Sequence, residues 1–157
     1  MDFWRRLGTY RGMPAGRRRL ARLIYALLIV PRPALLVARL ETVCGWLDRL
    51  IASAGIEPVG EGEPLAAARR TAVLLNAVAR YAFPRPNCLH RSLVLNRVLS
   101  AQGIASDIRY GVRRRDGRFE AHAWVEHNGE PLTEPGDLHR EYQPLRAVTE
   151  LRSRTQP

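Results

Sequence analysis

The sequence contains no lysine; all 25 of its basic residues are arginine. Set against 15 acidic residues, they leave a formal net charge of +10 and a pI near 11.0. Such a surface attracts acidic partners. The arginines are spread along the chain, with short runs at Arg17-Arg18-Arg19 and Arg113-Arg114-Arg115 and no recognition motif beside them. A specific nucleic-acid site is therefore not expected, and a GC-rich coding sequence accounts for the bias equally well. Cysteine is almost as scarce. Cys44 and Cys88 lie far apart and form no CxxC pair. That spacing excludes a disulfide framework and suits a reducing, cytoplasmic setting. A membrane-spanning run is missing too. The apolar stretch Leu23 to Val30 is flanked by arginine, too short to cross a bilayer, and followed by no small-residue cleavage site. Neither a signal peptide nor membrane association is expected, and the stretch reads as a core helix. There is no internal repeat and no interior linker long enough to separate two domains.

What is present fits one domain of 157 residues, with 46% hydrophobic and 25% charged residues, ordinary globular values. Residues 1–16 mix Gly, Pro and Arg and read as an irregular arm. Residues 17–83 read as helical. A first helix is expected over Arg17–Val30, with Leu20, Leu23, Ile24, Leu27 and Leu28 on one face. A second is expected over Ala34–Ala52, with Cys44 inside its apolar stripe as a packing residue. Pro64 opens a third at the first-turn position that proline tolerates, reaching about Ala82. Residues 84–137 carry the chemistry, and 138–157 read as a polar C-terminal tail with a short helix near Leu145–Leu151.

In this central part a helix is expected from Cys88 to about Gln102, started by Pro86-Asn87 and stopped by Gly103. Leu89, Leu93, Val94, Leu95, Val98 and Leu99 surround most of its circumference, so it belongs in the middle of the domain. After Gly103 the period changes to two. Ile108, Tyr110 and Val112 share one face of a strand. Asp116-Gly117 marks a hairpin, and the returning strand alternates Phe119, Ala121, Ala123 and Val125 with Glu120, His122, Trp124 and Glu126. Asn128-Gly129 marks a second hairpin, leading to a short strand near Pro131–Glu134. The order is helices first, then an antiparallel meander, an α+β fold.

Cys88 falls in the first turn of its helix. Unpaired backbone N–H groups and the positive end of the helix dipole stabilise negative charge there, the setting of a sulfur nucleophile. A histidine on a following strand, His122, can serve as its base. A carboxylate bonded to the other ring nitrogen would fix the tautomer. Glu134 is the first candidate and Asp137 the second, while Glu126 shares a strand face with His122. For Glu134 to lie near the ring, Asn128-Gly129 must form a three-residue loop with a left-handed bulge. A two-residue turn would place Glu134 opposite Ala123, on the far face. His122 and His127 point to opposite faces and no ligand spacing is recognisable, so neither a metal nor another cofactor is expected.

Cys88-Leu89-His90-Arg91-Ser92-Leu93, Gly103-Ile104-Ala105, Tyr110-Gly111-Val112 and Ala121-His122-Ala123-Trp124-Val125-Glu126 together resemble the transglutaminase-like, papain-like core of lasso-peptide leader peptidases. The resemblance covers roughly Ala66 to Asp137. It implies a cysteine peptidase with Cys88 as nucleophile, His122 as base and the acid on or near Glu134, where the family commonly has Asp. It also implies a substrate: a ribosomally made precursor peptide, cut between leader and core. The freed amine would pass to an ATP-dependent macrolactam synthetase. Leader recognition in this family belongs to a small companion domain. The helices before Cys88 do not read as one, so a separate leader-binding protein is expected. A transglutaminase-like acyltransferase using the same Cys/His pair is the alternative.

Overall fold

The computed structural model describes residues 12–29, 40–56, 58–59, 63–133 and 138–145. Four helices come first: α1 (Ala15–Ile29), α2 (Leu40–Ser53), α3 (Pro64–Ala79) and α4 (Cys88–Ala101). Three strands follow, β1 (Asp107–Arg115), β2 (Arg118–His127) and β3 (Glu130–Pro131), then the short helix α5 (Leu138–Glu141) and strand β4 (Gln143–Leu145). This is the expected α+β order. The irregular arm and residues 34–39 of the second expected helix lie outside the described residues, as do Glu134, Asp137 and the helix expected after Leu145.

α4 is the centre of the core. Val94, Leu95, Val98 and Leu99 have no exposed surface. They meet Ile24, Leu27 and Leu28 of α1, Val43 and Leu47 of α2 and Ala68, Ala72 and Leu75 of α3 in one cluster. A helix apolar on nearly all sides can form only when other elements cover every side. The alanines of α3 let its backbone come close. Val125 and Leu132 close the cluster from the sheet side, with Ile108 packed against it.

The sheet is antiparallel in the order β3-β2-β1-β4. Both hairpins turn on two residues with positive φ: Asp116 (50°) and Gly117 (75°), then Asn128 (51°) and Gly129 (80°). These are primed turns, whose twist matches that of the flanking strands. In the second, His127 pairs with Glu130 and Glu126 with Pro131. The three-residue bulged loop expected there is not formed: Asn and Gly both accept positive φ, so the tight turn closes without an extra residue.

The chain after residue 137 does more than trail as a polar tail. Through β4, Tyr110, Gly111 and Val112 pair with Leu145, Pro144 and Gln143. All three β4 residues are exposed, so no alternation advertised the strand. The two faces of the sheet differ. The face of Ile108, Ala123 and Val125 turns to the helical core. The other carries a separate small cluster of Trp124, Leu138 and Tyr142.

Candidate active site

Cys88 is the first residue of α4. Asn87 caps the helix from an extended backbone (φ −73°, ψ 172°), and its Oδ1 accepts the His90 N–H at 2.8 Å. The Arg91 N–H donates to the Asn87 carbonyl at 3.1 Å. The N–H groups of Cys88 and Leu89 take part in neither bond and belong to the exposed positive end of the helix. Cys88 itself is half-buried and carries a free thiol. Cys44 is also half-buried and free, but it lies within α2, close enough to Tyr110 to act on it. Burial pushes the Tyr110 phenol above its usual range, and the neighbouring Cys44 adds to that push.

His90, two residues into the helix, is structural: it is buried, and its Nε2 donates to the Leu27 carbonyl at 3.1 Å, which ties α4 to α1. Arg91 donates to Asn76 Oδ1, and Asn76 Nδ2 donates to the Thr133 carbonyl at 3.1 Å. This chain of bonds joins α4, α3 and the segment leaving β3. A cavity of about 510 Å³ that includes Leu20, Leu23 and Leu74 reaches Gln102, just past the other end of α4. A helix of that length spans about 21 Å, so the cavity is remote from the thiol.

His122 stands in β2 directly opposite Gly111 of β1. Its ring is offset-stacked on Trp124 (centroids 6.1 Å apart, planes at 19°) and meets Tyr142 at 5.3 Å. Trp124 and Tyr142 are 6.2 Å apart. Gly111 makes this possible. A Cβ at position 111 would lie 2.7 Å from Tyr142 Cβ and 3.0 Å from the indole ring. Gly111→Ala is therefore expected to force Tyr142 and Trp124 apart and lower stability by about 1–3 kcal/mol. A thermal melt checks this, and an unchanged melt would show that the aromatic cluster yields freely.

Each aromatic neighbour of His122 has its own ionic support. The Trp124 indole N–H donates to Glu126 Oε1 at 2.6 Å, and Arg109 Nε donates to Glu126 Oε2 at 3.2 Å. Arg113 lies 4.6 Å over the Tyr142 ring while bonding Glu120 and Glu141, each at 2.7 Å. The Glu120 bond leads in holding the Arg113 guanidinium above its ordinary pKa.

Of the residues singled out from sequence, Cys88 and His122 are thus on packed elements, since α4 lies against β2. Strand alternation turns His122 to the face of Trp124, away from the face that α4 covers. Among the described residues β3 pairs only with Glu126 and His127, and Leu132 N–H bonds the Val125 carbonyl. Among the described residues no strand pairs with β2 beside His122 on that edge. Glu134 and Asp137 lie outside the described residues; the tight turn removes the register argument for Glu134. Glu126 is engaged by Trp124 and Arg109. The roles of Tyr142 and Gly111 were missed from sequence, although a glycine inside a strand is itself a sign of close approach. Among the described residues no group of three or more His, Cys, Asp or Glu side chains could hold a metal ion.

Compared with known families, residues 27–147 match the transglutaminase-like superfamily, more than half of the chain. The chain belongs to that superfamily, whose enzymes are cysteine peptidases and acyltransferases. Neither curated proteins nor solved structures match it.

Proposed function

We propose that the protein is a cysteine peptidase that removes the leader from a lasso-peptide precursor. The observation that carries this reading is a cysteine at the capped first position of α4, in a transglutaminase-like domain, on a helix packed against the strand that bears His122. The four motifs around Cys88, Gly103, Gly111 and His122 supply the finer resemblance. In this reading the thiol of Cys88 and the imidazole of His122 work as a nucleophile–base pair. His122 takes the thiol proton as Sγ attacks the scissile carbonyl. The Cys88 N–H donates to the developing oxyanion. Collapse forms a thioester and expels the core peptide's amine, which takes the proton back from His122. Water then releases the leader acid. The acid that orients His122 comes from the 134–137 segment, which holds both Glu134 and Asp137.

The reaction takes place in the cytoplasm and uses no cofactor. The freed amine is the substrate for an ATP-dependent macrolactam synthetase, and a separate leader-binding protein presents the precursor. Adding that protein should raise the cleavage rate of the leader-bearing peptide at limiting concentration by about 10^2-fold or more, because tethering replaces a weak encounter with an intramolecular one. Mass spectrometry of the products checks this. Full-rate cleavage by the isolated chain, unchanged by the partner, would contradict it. The same assay with an added primary amine separates the readings: an amide product in place of the acid would mark an acyltransferase.

A further inference from the structure

On the reading that His122 is the base, we infer that Trp124 and Glu126, backed by Arg109, form a positioning set for its ring. Glu126 is 2% exposed, yet it carries a carboxylate. Burying a carboxylate is costly unless donors meet it, and a buried ion pair is seldom more stabilising than an apolar side chain of similar size. Stability alone therefore does not explain an acid at this place. The carboxylate's donors suggest another purpose. One oxygen takes the indole N–H at 2.6 Å and the other takes Arg109 at 3.2 Å. A short charge-assisted bond at the rim of an indole fixes the plane of the ring. That ring, with no exposed surface, is the one against which His122 is stacked at 19°. Gly111 leaves the far edge of the indole room to seat. The imidazole is flanked by Trp124 and by Tyr142, and the plane of the first of these walls depends in turn on Glu126. An imidazole that turns away from the thiol loses effectiveness steeply, since an ångström of misplacement can cost 10^2-fold. Neither Trp124 nor Glu126 needs to touch the substrate.

The test is the alkylation rate of Cys88 by iodoacetamide, measured in a Cys44→Ser background at one neutral pH and followed by intact mass. No peptide substrate is needed. His122→Ala is the reference for loss of the base. Trp124→Phe keeps a ring but drops the N–H, and Glu126→Ala drops the acceptor; each should slow alkylation about tenfold. Glu126→Gln keeps an amide oxygen for the indole and should stay within about threefold of the parent. A melt and circular dichroism give the folded fraction by which each rate is normalised. If Glu126→Ala does not fold, Trp124→Phe carries the test alone. Folded Trp124→Phe at the parental rate would overturn the inference, as would a Gln variant as slow as the Ala one. A His122→Ala protein alkylated as fast as the parent would instead overturn the reading of His122 as base.

Discussion

Cys88→Ala should abolish peptide cleavage, a loss on the order of 10^4-fold or more, while Cys44→Ser should leave the rate per folded molecule intact. The two cysteines are equally free and similarly buried, so their local settings must make the difference. Cys88 begins α4 behind the Asn87 cap, where helix N–H groups point outward. Cys44 lies in the middle of α2 near Tyr110. His122→Ala should cost about 10^2–10^4-fold, the usual worth of a positioned base. Because the two groups act as one unit, the double variant should be barely worse than Cys88→Ala alone. Turnover by a folded Cys88→Ala protein would show that the sulfur is not the nucleophile.

Leu95→Ala should be the most damaging of the conservative core truncations. Leu95 has no exposed surface and lies in the middle of α4, against which α1, α2, α3 and the sheet all pack. With neighbours on every side, the site cannot collapse around the lost atoms, and truncation costs about 2–5 kcal/mol. For a domain whose whole stability is about 5–15 kcal/mol, that is a large share. Chemical denaturation should show a lower midpoint with an unchanged slope. Exposed Val73 of α3 is the control: Val73→Ala should move the midpoint little. A Leu95→Ala protein as stable as the parent would mean that α4 is not the core's centre.

The helical part was legible because burial imposes a period. Pro64 and Asn87-Cys88 fall at the first-turn and capping positions that their chemistry predicts, and the α4 pattern foretold a largely buried helix. The hairpins were legible from Asp116-Gly117 and Asn128-Gly129. The second differs from expectation in its length: Asn-Gly is the strongest local signal for a two-residue turn, and the bulge that would bring Glu134 toward His122 is not formed. β4 escaped notice because it is three exposed residues with a proline in the middle, held by pairing with β1 and not by burial. Of the candidate site, Cys88 and His122 stand out in the sequence by residue type and position. The aromatic and ionic surroundings of His122 depend on cross-strand neighbours and on a return of the chain from residue 138 onward, which no local pattern reveals. The Trp124–Glu126 bond is the exception. Residues two apart on a strand share a face, and an indole beside a carboxylate on one face was there to be read.

The central claim is that Cys88, helped by His122, accepts an acyl group. An activated ester tests it without knowledge of the peptide. The protein is mixed with p-nitrophenyl acetate, quenched in acid within seconds, and digested for mass mapping. The account predicts one acetyl group on Cys88, none on Cys44, and a rate of acetylation that falls at least about tenfold in His122→Ala. Acetylation spread equally over both cysteines, at a rate indifferent to His122, would contradict it.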